Sequence, residues 1–306
     1  MSEKKNTVLV IGSNGTLGQT FRHHHFGVDV DFAVKQISND SDDVWFDLSY
    51  IDDECAIETL KLYDYVVNCA AITNVDKIER DLDTKNEAYK VNATGAKKLA
   101  EWCRKSNTTL IHISTDFVFD GNGYRPYIEE DQIHPINEYG ETKALGEMFI
   151  RDSGCRYYII RTAWLYSEYG DNCFTRIAKM IESNSQLNGV NDVISSPTYA
   201  RDLVHFICQI IIKGDVANGI YHFTNEGVCT RYDFMYQMHR ELGDILSKLE
   251  PVSNNVFKCP AKRPYCSVLS KEKARKIMGI LNWQEALMDC ITNYRDLNKN
   301  VEDFEE

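Results

Sequence analysis

The apolar run Val8-Leu9-Val10-Ile11 passes directly into Gly12-Ser13-Asn14-Gly15-Thr16-Leu17-Gly18, and no other stretch restricts the fold as tightly. Four consecutive apolar residues, mostly β-branched, suit a parallel strand buried on both faces. The glycines allow a tight turn. They also let phosphates approach backbone N–H groups at the amino end of the following helix, read as Gln19 to His24. Strand, glycine loop and helix in that order predict the first unit of a doubly wound parallel α/β sheet that binds a dinucleotide. Gly12, Asn14, Gly15, Thr16, Leu17 and Gly18 are its candidate contacts.

Further strands are read at Val30–Val34, Val44–Leu48, Tyr65–Asn68, Leu110–Ser114 and Tyr157–Arg161, with helices at Ile51–Leu60 and Asn86–Ser106 between them. This alternation predicts a Rossmann-type domain over 1–165, completed by about 187–214. The looser pattern over 166–186 and 215–300 predicts a smaller substrate lobe, and 301–306 an acidic tail. In an NAD-binding fold the second strand ends on an acidic residue that takes the ribose hydroxyls. Here the register puts Lys35 at that point, with Asp31 four residues earlier. A cation suits a 2′-phosphate, so NADPH is the expected cofactor and NADH the alternative.

The chemistry is concentrated between Ser114-Thr115-Asp116 and Tyr139-Gly140-Glu141-Thr142-Lys143. Tyr139 and Lys143 stand four residues apart at the start of a helix read over Thr142–Ile150, so both side chains share one face. A phenol has a reference pKa of about 10. An ammonium one turn away is expected to favour the phenolate and bring the phenol into use as a general acid or base. Thr115 closes a buried strand, where its hydroxyl faces the ligand crevice of an open α/β sheet. Hydroxyl, phenol and ammonium can therefore converge on one carbonyl oxygen.

With these residues in view the chain resembles a family. S-T-D-F-V-F-D-G, then P-Y-x-E-x-D, P-x-N and Y-G-E-T-K-x-x-G-E, resembles the dTDP-4-dehydrorhamnose reductase branch of the extended short-chain dehydrogenase/reductases. The resemblance extends to Arg263-Pro264 and implies reduction of a nucleotide-linked 4-keto-6-deoxyhexose, carried on dTDP or UDP, to the L-rhamnose type. It implies Thr115, Tyr139 and Lys143 as catalytic, with Tyr139 and Lys143 also touching the cofactor, Lys143 at the nicotinamide ribose, and Asp116 orienting the substrate. Asp47 and Leu48 are implied at the adenine, and Cys69, Ala70 and Ala71 at the cofactor's ribose and nicotinamide. Thr73, Val75, Asp76, Trp164 and Asn172 are implied at the substrate, and Arg263 at its pyrophosphate. Phe117 stands where the family commonly has tyrosine. Related reductases also epimerise the ring at C3 or C5, and Cys69, Asp116 and His112 are the candidate bases for that. The methionine adenosyltransferase beta subunit, a non-catalytic NADP-binding regulator, looks similar through Y-G-x-T-K but lacks the tryptophan. A 4,6-dehydratase or 4-epimerase of the same superfamily is a further alternative.

Composition excludes other classes. A net charge of −12 argues against a nucleic-acid partner. No apolar run reaches the roughly 20 residues that span a bilayer. The amino-terminal stretch lacks a signal peptide's apolar core, so a cytoplasmic location is expected. The ten cysteines are scattered without a C-x-x-C pair and read as reduced thiols. His23-His24-His25 reads as a polar helix end, and no metal is expected. The small-molecule partner is a nucleotide sugar, and a homodimer is left open.

Overall fold

The computed structural model describes residues 6–35, 42–48, 51–183, 186–243 and 248–302. Strand β1 (Thr7–Ile11) enters helix α1 (Thr16–His23), and β2 (Asp29–Val34) and the short β3 (Val44–Trp45) follow. Then come α2 (Asp53–Leu60), β4 (Tyr65–Asn68), α3 (Val75–Arg80) and α4 (Leu82–Ala88). A π-helical segment, Tyr89–Gly95, joins α4 to α5 (Ala96–Ser106), and β5 (Thr109–Thr115), α6 (Glu138–Asp152) and β6 (Tyr157–Thr162) complete the first half. The second half runs β7 (Leu165–Tyr166), α7 (Cys173–Glu182), β8 (Leu187–Val190), β9 (Ile194–Ser195), β10 (Thr198–Tyr199) and α8 (Ala200–Lys213). It ends with β11 (Gly219–His222), β12 (Cys229–Thr230), α9 (Arg231–Leu242), β13 (Leu249–Val252), α10 (Glu272–Arg275) and α11 (Trp283–Glu302).

Seven parallel strands form the main sheet in the order β11-β6-β5-β4-β1-β2-β3. Alternation along β1 explains its double burial. Val8 and Val10 pack with Phe21 of α1 and Phe206 of α8 on one face, while Leu9 and Ile11 meet Leu99 and Trp102 of α5 on the other. The chain reverses its winding between β1 and β4, so the crevice at the carboxyl ends of these two strands is where an open α/β sheet binds its ligand. A separate core of Tyr166, Phe174, Tyr199 and Trp283 holds the smaller lobe together.

Several elements differ from the sequence reading. The single helix expected over Asn86–Ser106 is interrupted by the π segment, whose wider turn places Asn92 inward and buried. Within the stretch expected to complete the dinucleotide domain, only α8 packs on the main sheet; β8 pairs with β13 instead. Conversely β11, inside the stretch read as substrate lobe, becomes the seventh strand, because His222 and Phe223 bury against β6 and α8. The third strand is confined to Val44–Trp45. Val301 and Glu302 belong to α11, and the rest of the acidic tail lies outside the described residues.

Beneath the carboxyl end of the sheet, Arg161 of β6 donates to both oxygens of Glu147 of α6, at 2.9 Å from Nε and 2.7 Å from Nη2. Both side chains are 1% exposed. Ser114 Oγ donates to Glu147 Oε1 at 2.6 Å, and Arg161 Nη1 lies 3.2 Å from His222 Nε2 of β11. Burial and the Arg161 charge hold His222 at about 3, so it stays neutral and can accept from the guanidinium. Glu147→Ala strands the guanidinium in the core and is expected to destabilise the fold by about 3–5 kcal/mol in denaturant melts, whereas replacing both partners with apolar residues should recover most of that loss.

Candidate active site

Helix α6 begins earlier than the sequence suggested. Asn137 caps it by accepting from Gly140 N at 2.8 Å, so Tyr139 and Lys143 both lie within the helix. Its first turn is pressed against the segment after Thr115: a Cβ on Gly140 would come within 2.2 Å of Phe117 O. Only glycine permits this approach, which sets the first turn of α6, with Tyr139, beside Thr115 at the end of β5. The Phe117 ring sits edge-on to Tyr139 with centroids 6.0 Å apart. Asp116, 2% exposed, accepts from Thr115 Oγ1 at 3.2 Å and from Ser267 Oγ. Burial pushes its carboxyl up to about 6, and these hydrogen bonds and the Arg231 charge oppose that rise.

The protonation states correct one expectation. Burial raises the Tyr139 phenol to about 12, the Thr115 hydrogen bond pulls it back and the Asp116 charge adds to the rise. Burial therefore outweighs the lowering expected from Lys143. Its Nζ donates to Ile113 O at 2.6 Å and lies 3.2 Å from His112 Nε2. Burial brings Lys143 down to about 8, against the opposing pull of Glu147. His112 is fully buried, with Nδ1 3.1 Å from Asn68 Nδ2, so it does not reach the crevice as a base. Burial pushes the Cys69 thiol up to about 12, which leaves little thiolate at neutral pH. Asn92 fixes the floor from the other side, accepting from Ile72 N at 2.8 Å and donating to Ile72 O at 2.9 Å and Thr142 Oγ1 at 3.0 Å.

The crevice beside this group suits a dinucleotide. Gly12 has φ +83°, and a Cβ there would fall 2.6 Å from Ala70 N, so the loops after β1 and β4 touch backbone to backbone. Gly15 caps α1 without any side-chain hydrogen bond, and a Cβ on it would meet only Gly12 O at 3.5 Å. The helix amino end, with Asn14 and Gly15 exposed and Thr16 half-buried, is thus an open cradle for phosphate. Leu17 and Gly18 are buried in the turn behind it. Cys69, Ala70 and Ala71 are half-buried along the crevice wall. Lys35 is exposed at the end of β2, its carbonyl accepting from Trp45 Nε1 at 3.1 Å. Asp47 and Leu48 are buried just after β3.

A cavity of about 510 Å³ opens in the smaller lobe, walled by Trp164, Arg231, Phe234, Met235, Phe257 and Arg263. Trp164 has φ +45°, a left-handed backbone that is strained for so bulky a residue. Arg263 donates to Asp76 at 2.6 and 3.2 Å and to Ala261 O, so the cation expected at the pyrophosphate is already paired. Asn172 serves otherwise than expected. It caps α7, accepting from Phe174 N and donating to Ser167 O and Tyr169 O, which consumes its carboxamide locally. Thr73 is exposed and Val75 half-buried on the stretch that leads to Asp76.

Sequence reading passed over Arg231. Its guanidinium lies 5.3 Å from the Trp164 ring, and no carboxylate pairs with it among the described residues. It was detectable in principle, since it is the first residue of a helix capped by Thr230, where the helix dipole disfavours a cation.

Comparison with known proteins places this geometry. The family model for the RmlD substrate binding domain matches residues 6–296. A dTDP-4-dehydrorhamnose reductase of Aggregatibacter actinomycetemcomitans is 33% identical, over 92% of this chain and 96% of that protein. The spore coat polysaccharide biosynthesis protein SpsK of Bacillus subtilis is 37% identical, over 74% of this chain and 78% of that one. Among solved structures, the dTDP-4-dehydrorhamnose reductase of Bacillus anthracis in complex with NADP superposes with a TM-score of 0.84 at 28% identity, covering 95% of this chain and all of that one. The ortholog of Clostridium acetobutylicum gives a TM-score of 0.83 at 32% identity, over 94% and 99% of the two chains. The chain belongs to the dTDP-4-dehydrorhamnose reductase family.

Proposed function

We propose that this protein reduces the 4-keto group of a nucleotide-linked 6-deoxyhexose, with NADPH as reductant. The observation that carries the reading is that α6 presents Tyr139 and Lys143 on one face against the end of β5, where Lys143 donates to Ile113 O and Thr115 closes the strand, two places from β1 and its glycine loop. The curated reductases and the neighbour solved with NADP support the substrate class and the cofactor. Reduced nicotinamide, when bound, supplies the hydride. Gly12 to Gly18 hold the dinucleotide phosphates, Ala70 and Ala71 border its ribose and nicotinamide, and Lys35 meets the 2′-phosphate.

Tyr139 is the acid. A phenol raised to about 12 stays protonated across the working range and gives its proton to the oxygen at C4 as charge develops there. Thr115 donates to the same oxygen, and Lys143 supplies positive charge beneath the phenol while protonated, below about 8. Asp116 orients the sugar, and Trp164 offers its ring as an apolar wall. The nucleoside diphosphate fills the cavity, where Arg231 forms no salt bridge among the described residues and meets the diphosphate, while Arg263, held by Asp76, stands on the same wall. Trp164 on the cavity wall, which the regulatory NADP-binding subunit lacks, favours catalysis over that role.

Three outcomes are expected. Tyr139→Phe should lower kcat by about 10²–10⁴ with dTDP-4-dehydrorhamnose, followed at 340 nm, without loss of NADPH binding. Arg231→Met should raise KM for the nucleotide sugar by about 10–100-fold and leave kcat within a few-fold, as loss of a charge-assisted hydrogen bond does. Lys35→Glu should shift the ratio of kcat/KM values from NADPH toward NADH by about tenfold or more.

A further inference from the structure

We propose that His112 is a positioning residue for Lys143, and that its tautomer ties the charge on that lysine to Asn68 and the Ala70 N–H. The argument starts from a donor whose role is fixed. The backbone N–H of Ala70 can only donate, and it lies 3.1 Å from Asn68 Oδ1. The Asn68 carboxamide therefore turns its NH₂ toward His112 Nδ1, 3.1 Å away. That nitrogen must then accept, so a neutral ring carries its proton on Nε2, which faces Lys143 Nζ at 3.2 Å.

This arrangement satisfies a neutral amine, which accepts from Nε2–H while it donates to Ile113 O at 2.6 Å. An ammonium has only hydrogens to present. For Lys143 to be charged and bonded to His112, the ring must carry its proton on Nδ1, and Asn68 must turn its oxygen toward it. The carboxamide NH₂ then opposes the Ala70 N–H, and that bond is lost. Lys143 charge and the Ala70–Asn68 bond therefore exclude each other, with His112 as the link. Ala70 belongs to the loop that touches Gly12. An acceptor from outside that takes over the Ala70 N–H releases Asn68 and favours the charged lysine, which is the form the reaction uses. The other titratable groups acting on Lys143 are Glu147 on its own helix and Cys69 after β4. Burial keeps His112 far below the usual histidine range, so the ring stays neutral and only its tautomer changes.

Two substitutions separate the ring nitrogens. His112→Asn keeps a polar atom toward Asn68 and loses the contact to Lys143, while His112→Gln keeps the latter. The measurement is the pH dependence of kcat and, independently of turnover, of the NADPH Kd by fluorescence. Wild type should lose activity above about pH 8, with Lys143 deprotonation. In the complex, where the outside acceptor holds the Ala70 N–H and the ring accepts from the ammonium, His112→Asn should move that limb, and the inflection in Kd that belongs to the complex, about one unit lower, with KM for the nucleotide sugar changed less than twofold. His112→Gln should restore both to within about 0.3 units. The inference rests on the reductase reading for its turnover arm alone. A wild type that turns over no 4-keto sugar would overturn that reading, and the Kd profiles would still decide this one. Folded His112→Asn protein with an unmoved inflection, or His112→Gln behaving as His112→Asn does, overturns the role of His112. Should His112→Asn not fold, an inflection in His112→Gln that sits a full unit lower is the overturning result and one at the wild-type position the supporting one.

Discussion

A glutamate and an arginine buried against each other set the distance between the main sheet and α6, and the reactive groups inherit their places from that distance. Taking both charges out of water is costly, and the pair persists because each remaining donor and acceptor finds a partner. Ser114 and His222 supply two of those partners from neighbouring strands. Glu147 lies one helical turn beyond Lys143, and Lys143 one turn beyond Tyr139, so all three share one face of α6. Anchoring the first of them fixes how deeply the other two project. Ser114 also adjoins Thr115, so the same pair that holds α6 holds the end of the strand carrying the hydroxyl.

Burial then assigns the protonation states. The same withdrawal from water raises a phenol and lowers an ammonium, because it opposes the charged form of each. The result is a phenol that keeps its proton and a lysine that surrenders its charge near pH 8. For a reaction that ends by protonating an oxygen, this ordering is productive: the acid is loaded before the substrate arrives. Withdrawing a proton from a carbon needs an unprotonated base that reaches the substrate. Burial keeps Cys69 a thiol, His112 lies fully buried, and Asp116 is tied to Ser267 and Thr115.

What the sequence revealed was local. A glycine loop between a β-branched strand and a helix carries its meaning in adjacent residues, and Tyr139 with Lys143 needs only the helical repeat. The pairing of β8 with β13, the turn of Asn92 inward and the seating of Arg231 over Trp164 depend on residues far apart in the chain, which no spacing encodes. Asn172 misled for a related reason: an asparagine before a helix is equally suited to cap it or to face a ligand, and only the surrounding carbonyls decide. Arg263 was legible as a cation near the site, but its partner Asp76 stands 187 residues away.

The backbone at Trp164 bears on how this chain can change over time. Holding a bulky residue in a left-handed conformation costs about 1–3 kcal/mol, and glycine would remove most of that cost. Under selection for a stable fold alone, a tryptophan here would be replaced early. What offsets the cost is the cavity it walls, so only selection on that cavity would keep it. A copy of the gene released from that selection should drift to glycine or asparagine at position 164 while keeping its sheet, its buried ion pair and its glycine loop. The indole is in that sense the residue that records whether the lobe is still in use.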